Sequence, residues 1–164
     1  MKTYNVLFIC TGNSARSILA EALADHASSD TVTLRGFSAG SHPKGAPHPF
    51  ALELIRERGW PADRYRSKSW GEFAAPEAPV MDLIFTVCDQ AAAEACPYWP
   101  GHPATAHWGL PDPAAVEGTD EDKRQAFREA FSVLERRVGL LVALLAETRD
   151  EPTLEQRLQA IGRA

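Results

Sequence analysis

Short apolar runs alternate along the chain with segments whose apolar positions recur at helical spacing. Residues 4 to 9 (YNVLFI) form a run of the kind a parallel strand shows when both faces are covered. From Ser17 the period changes, and Ile18, Leu19, Ala22 and Leu23 repeat as on a helix, with Glu21 and Asp25 on its other faces. TVTLRGFSAG, residues 31 to 40, predicts a second strand closing in a glycine turn; Phe50 to Arg58 predicts a second helix with Gly59 at its C-cap. Residues 81 to 88 (MDLIFTVC) read as a third strand, AAAEA as a brief helix, and residues 104 to 108 (ATAHW) as a short fourth strand. The last helix is the clearest. Phe127, Phe131, Leu134, Val138, Leu141 and Leu145 trace one face, and Thr119 precedes an acidic first turn as its N-cap.

Strand and helix in this order predict an α/β fold: a three-layer α/β/α sandwich on a four-stranded parallel sheet with right-handed crossovers. Ligands of such folds bind at the carboxyl ends of the strands. Residues 1–147 are expected to form a single catalytic domain. Residues 148–164 read as a polar C-terminal extension in which Leu154, Leu158 and Ile161 fit one more short amphipathic helix; function is not expected to depend on it.

Composition narrows the class. Hydrophobic residues at 45% and charged residues at 24% are those of an ordinary globular domain, and 164 residues suit one core. A net charge of -5 argues against a general nucleic-acid binder, which needs clustered Lys and Arg, and leaves room for a local anion site. Thr11, Gly12 and Asn13 interrupt the first apolar run before a secretory pattern or membrane span develops, so a cytoplasmic location without membrane contact is expected. Three cysteines, Cys10, Cys88 and Cys96, then read as reactive or buried free thiols rather than structural disulfides.

Cys10 ends the first strand; Thr11, Gly12, Asn13, Ser14 and Ala15 follow, and Arg16 and Ser17 open a helix. A loop so placed turns successive backbone N–H groups inward, and the helix N-terminus adds its positive dipole end, making a cradle for a tetrahedral oxyanion. Arg16 supplies two parallel donors, and Gly12 and Asn13 tolerate the left-handed backbone a tight cradle needs. Amide donors, the Arg16 charge and the Ser17 hydroxyl are expected to lower the Cys10 pKa and make its thiolate the nucleophile.

This spacing of Cys, five residues and Arg, in VLFICTGNSARS, resembles the low-molecular-weight phosphatase and arsenate reductase superfamily. The resemblance implies its flavodoxin-like fold over about residues 4 to 147. It also implies that Asp112, in HWGLPDPA, is the general acid that protonates the departing oxygen. Ala114 stands where the tyrosine phosphatases carry an aromatic residue that sandwiches the substrate ring, whereas HWG and DPA resemble the arsenate reductases.

Hydrolysis through a phosphocysteine needs one thiol, but reducing arsenate needs two electrons and a second sulfur. Cys88 at the end of the third strand and Cys96 eight positions later provide spare sulfurs. The inferred reaction has Cys10 attack arsenic, Cys88 attack the Cys10 sulfur, and Cys96 attack Cys88, leaving a disulfide for an external thiol to reduce. A helix over residues 88 to 96 would hold its ends about 12 Å apart, beyond the roughly 7 Å Cα limit for a bridge, so oxidation is expected to remodel the segment.

No tightly bound cofactor is expected; the expected reductant is thioredoxin, with glutathione and glutaredoxin or another low-molecular-weight thiol as alternatives. Arsenate, phosphate or sulfate are the expected oxyanion ligands. Asn13, Glu21 and Ser38 resemble positions that, in thioredoxin-coupled arsenate reductases, order the loop and hold a monovalent cation. Cys88, Cys96, His102 and His107 lack the short paired spacing of a zinc module. Trp99, His107 and Trp108 read as packing or loop-anchoring residues. Two departures bear on the reductant: Ala15 replaces a further loop cysteine, and the Cys88 to Cys96 interval is one residue longer than in the best-known thioredoxin-coupled branch. The competing readings are a phosphomonoesterase using Cys10, Arg16 and Asp112 alone, and an anion-sensing or carrier protein.

Overall fold

The computed structural model describes residues 1–89, 91, 101–147 and 151–164. Four parallel strands, β1 (Lys2–Cys10), β2 (Val32–Gly40), β3 (Leu83–Thr86) and β4 (Ala104–His107), form one sheet in the order β2-β1-β3-β4. The helices are α1 (Arg16–Asp25), α2 (Pro49–Glu57), the short α3 (Gly71–Ala74), the long α4 (Asp120–Ala146) and α5 (Glu151–Ile161). Each predicted strand is present, the third being four residues long because Val87 and Cys88 already belong to the turn above the sheet.

Central β1 is buried on both faces over its second half, with Val6, Leu7, Phe8 and Ile9 all fully covered, which is why its sequence lacks alternation. One face meets α1 and α4. Gly36 lies on that face, where a β-carbon would run into the backbone carbonyl of Glu21, so α1 approaches β2 closely. Phe8, Phe85 and Trp108 stack there, Phe85 and Trp108 at 3.8 Å between ring centres. Alternation sends Phe37 to the other face, against Phe73 of α3.

The Thr119 cap is realised in full. Its hydroxyl accepts from the Asp122 N–H and the Asp122 carboxylate accepts from the Thr119 N–H, both at 3.1 Å. Gly59 takes the left-handed conformation (φ 77°) just after α2, as its place in the sequence predicts.

The C-terminal segment is less polar in its packing than in its composition. Leu154 and Leu158 are buried in the same core as Phe8 and Trp108, and the Trp108 indole N–H donates to the Leu158 carbonyl at 2.9 Å. The helix lies against β4.

Candidate active site

Parallel pairing of Ile9 with Thr86 brings the carboxyl ends of the two strands to one rim, where Cys10 ends β1 and Cys88 lies just past β3. Both thiols are buried, free, and within hydrogen-bonding reach of one another. Cys96, Trp99 and the expected remodelling of residues 88 to 96 lie outside the described residues.

Between Cys10 and Arg16 the chain bends as a cradle because its carbonyls are tied outward. Those of Thr11, Gly12 and Ser14 accept from the backbone N–H groups of His42 (2.9 Å), Lys44 (2.9 Å) and His48 (2.8 Å). Gly40 makes this possible: a β-carbon there would lie 2.5 Å from the Thr11 carbonyl oxygen. Asn13 is the left-handed residue (φ 45°); Gly12 is not, and its lack of a side chain instead leaves room for the Lys44 stem. Ala15 offers no side-chain cap to α1, so the first turn of that helix faces the cradle with its amides uncapped from the chain.

Above the loop is a cleft of about 460 Å3 reached by Cys10, Arg16, Lys44, Cys88 and Asp112. Arg16 Nη1 donates to the Leu110 carbonyl at 2.8 Å, and Nη2 lies 3.7 Å from Asp112 Oδ2. Its buried Nε has no partner among the described residues, a donor fitted to an oxyanion. Asp112 Oδ1 accepts from the Ala114 N–H at 2.9 Å, capping the short turn Pro113–Ala115 and fixing the carboxylate's direction.

The thiols titrate as a pair, and the lowered pKa expected of Cys10 falls on Cys88 instead. Cys10 is pushed above the ordinary thiol range by its hydrogen bond to Cys88 and by burial, which outweigh the Arg16 charge and the Gly12 amide. Cys88 is pulled down to about 5, first by the hydrogen bond from Cys10, with burial opposing and the Thr11 hydroxyl and amides helping. The Thr11 N–H donates to its sulfur at 3.4 Å. One proton is therefore held between two sulfurs.

A model of the low molecular weight phosphotyrosine protein phosphatases matches residues 5–151. The chain belongs to this family. Among its relatives, the arsenate reductase of Halalkalibacterium halodurans is 34% identical over 133 residues, 81% of this chain and 91% of that one. The arsenate reductase of Archaeoglobus fulgidus shares the fold with a TM-score of 0.63 and 28% identity, over 84% of this chain and 98% of that one. A thioredoxin-dependent arsenate reductase of Corynebacterium glutamicum gives a TM-score of 0.62 and 27% identity, over 88% and 64%.

Beneath the phosphatase-family loop lies a buried polar network. Asn13 Nδ2 donates to Ser17 Oγ (2.8 Å) and Ser38 Oγ (3.0 Å), Asn13 Oδ1 accepts from the Lys68 N–H (2.8 Å), and Ser38 donates to Glu21 (2.5 Å). Ser17 thus supports the loop from below, through Asn13. Asn13, Glu21 and Ser38 do converge, but the ammonium of Lys68 sits with them, 3.7 Å from Glu21 and 3.4 Å from Ser38. Lys68 thereby places a positive charge of the chain's own beside the three residues. Burial raises the Glu21 pKa to about 7 and lowers that of Lys68, each offset in part by the other.

Several functional residues gave no signal in the sequence. Lys68 lies in a stretch without periodicity, and His42, Lys44 and His48 act largely through backbone N–H groups, which no side-chain pattern reports. Trp108 is core, as expected, and His107 anchors Asp89.

Proposed function

We propose that the chain reduces arsenate to arsenite through thiol chemistry on Cys10. The observation that carries this reading is the second free thiol, Cys88, buried in the same cradle and in contact with Cys10; the names of the relatives support it. Arsenate enters with its oxygens on the loop amides and Arg16. Cys10 passes the proton it shares to Cys88 as its sulfur bonds to arsenic, one arsenic–oxygen bond breaks, and Asp112 delivers the proton with which that oxygen leaves as water.

Cys88 then attacks the Cys10 sulfur, and its proton leaves with the arsenite. The sulfur–arsenic bond breaks with its electron pair left on arsenic, arsenate's As(V) becomes As(III), and two thiols become one disulfide. Cys96 attacks Cys88 next, freeing Cys10 and passing the disulfide to residues 88 and 96. An external dithiol resets the pair; the likeness to a thioredoxin-dependent relative favours thioredoxin over glutathione with glutaredoxin. Chemistry that needs free thiols suits the cytoplasm, and among the described residues no helix is long and apolar enough to cross a membrane.

Phosphate and arsenate have nearly the same shape and charge, so the same three residues, Cys10, Arg16 and Asp112, are equipped to hydrolyse a phosphomonoester, as the family description implies. Ala114 in place of an aromatic residue weakens the hold on an aryl ring. The deciding experiment follows NADPH consumption and arsenite release with thioredoxin and its reductase, in the parent and in Cys88→Ser. Arsenite release lost in Cys88→Ser, with hydrolysis of p-nitrophenyl phosphate retained, supports the reductase. Hydrolysis without arsenite release in the parent makes it a phosphatase.

A further inference from the structure

β4 is an edge strand, and its residues alternate in the direction they offer hydrogen bonds. Ala104 and Trp108 donate inward, to Asp82 (3.1 Å) and Thr86 (2.7 Å), so His107 turns its N–H and C=O away from the sheet. A fifth strand would meet them there; one side chain does so instead. Gln159 of α5 accepts from the His107 N–H at 2.9 Å and aims its amide nitrogen at the His107 carbonyl, 3.5 Å away. Gly162 keeps α5 this close, because a β-carbon there would lie 2.5 Å from that same carbonyl oxygen. An ion pair from Arg157 to Glu147 (2.8 Å) ties α5 to the end of α4.

The side chain of His107 reaches the residue that follows Cys88. Its Nε2–H donates to Asp89 Oδ1 at 2.8 Å, and Nδ1 is bonded to the Thr86 hydroxyl at 2.7 Å. Asp89 directly follows Cys88, and its side chain is otherwise almost wholly exposed, at 97%. This hydrogen bond selects one orientation for the residue beside the sulfur. Gln159 also lies beyond residues 5–151, the span that carries the family match.

We propose that Gln159 is a positioning residue for the second thiol: its grip on the His107 backbone sets the imidazole that holds Asp89, and through Asp89 the Cys88 sulfur against Cys10. The proposal rests on Cys88 acting as that second thiol. It gives α5 a part in the redox step and none in oxyanion binding, which belongs to the loop, Arg16 and the N-terminus of α1.

The test measures how fast the Cys10–Cys88 disulfide forms when diamide oxidises the reduced protein in a Cys96→Ser background, where the bridge cannot pass on, with diamide taking up the two thiol hydrogens as it becomes the hydrazine. Inorganic phosphate binding, by calorimetry, serves as the control. Gln159→Leu should slow the bridge about tenfold, since small misplacements of reacting groups are costly, with phosphate affinity within about twofold. Gln159→Glu keeps the acceptor for the His107 N–H and should recover most of the rate. Asp89→Ala should slow the bridge by a similar factor, and adding Gln159→Leu to it should cost little more, because both act through one connection. Equal rates in Gln159→Leu and the parent overturn the proposal; so do additive effects, or a parallel loss of phosphate affinity. If the Cys96→Ser protein and its variants bridge with diamide at the expected rates but the unaltered chain releases no arsenite, the reductase reading fails and this one stands.

Discussion

Arg16 and Asp112 meet in the cleft above the loop, Nη2 to Oδ2, at 3.7 Å. The carboxylate lies beside the same guanidinium that would hold the anion, so its charge and the anion's compete for one partner.

Replacing Asp112 with Asn separates these effects. Loss of the proton donor should lower turnover on an aryl phosphate by roughly 10²- to 10³-fold. Removal of the competing charge should at the same time tighten inorganic phosphate binding. Steady-state kinetics and calorimetry read the two independently, and a fall in both would mean that Asp112 shapes the loop and donates nothing.

The shared proton between Cys10 and Cys88 predicts an uneven titration. Thiolate absorbance near 240 nm should rise by one equivalent with a midpoint near pH 5, the value to which Cys88 is drawn down. The second equivalent should be missing through the ordinary thiol range, because Cys10 is pushed above it. In Cys10→Ala the donor to Cys88 is gone, and the remaining thiol should titrate at a higher pH. Two equal steps in the parent would contradict the pairing.

How much of this was legible beforehand differs from part to part. Tyr4 to Ile9, the helical face of α4 and the Thr119 cap are local patterns, and local patterns survive into the structure. The loop from Cys10 to Arg16 was legible for a related reason: residue type, the preceding strand and the following helix all lie within a short span. The Cys10 titration was not, since its direction is set by a sulfur that arrives through sheet register, from 78 positions away (88 − 10). The docking of α5 was half visible. Leu154, Leu158 and Ile161 have helical spacing, but nothing in them names Trp108 or His107 as the destination.

Glu21 and Lys68 give a prediction with a definite sign. The folded protein holds the Glu21 proton up to about pH 7, whereas an ordinary carboxyl loses it near 4.5. Stability from this group is therefore complete below about pH 4.5 and is lost as the pH climbs to 7. Lys68→Met removes the facing charge and leaves Glu21 to keep its proton still higher. The variant should be less stable by about 3 kcal/mol at neutral pH, and the gap should widen between pH 6 and pH 8.5. Urea unfolding at both values checks this; a constant gap would show that the pair is not coupled.

An ammonium group that is covalently part of the chain has a consequence for the surrounding electrolyte. The underside of the anion loop draws its positive charge from Lys68, so swapping potassium for sodium or for tetramethylammonium at fixed ionic strength should leave turnover unchanged. In Lys68→Met the same exchange should begin to matter, with small alkali ions restoring what the bulky one does not. Such an enzyme would carry its own counterion into whatever salt it meets.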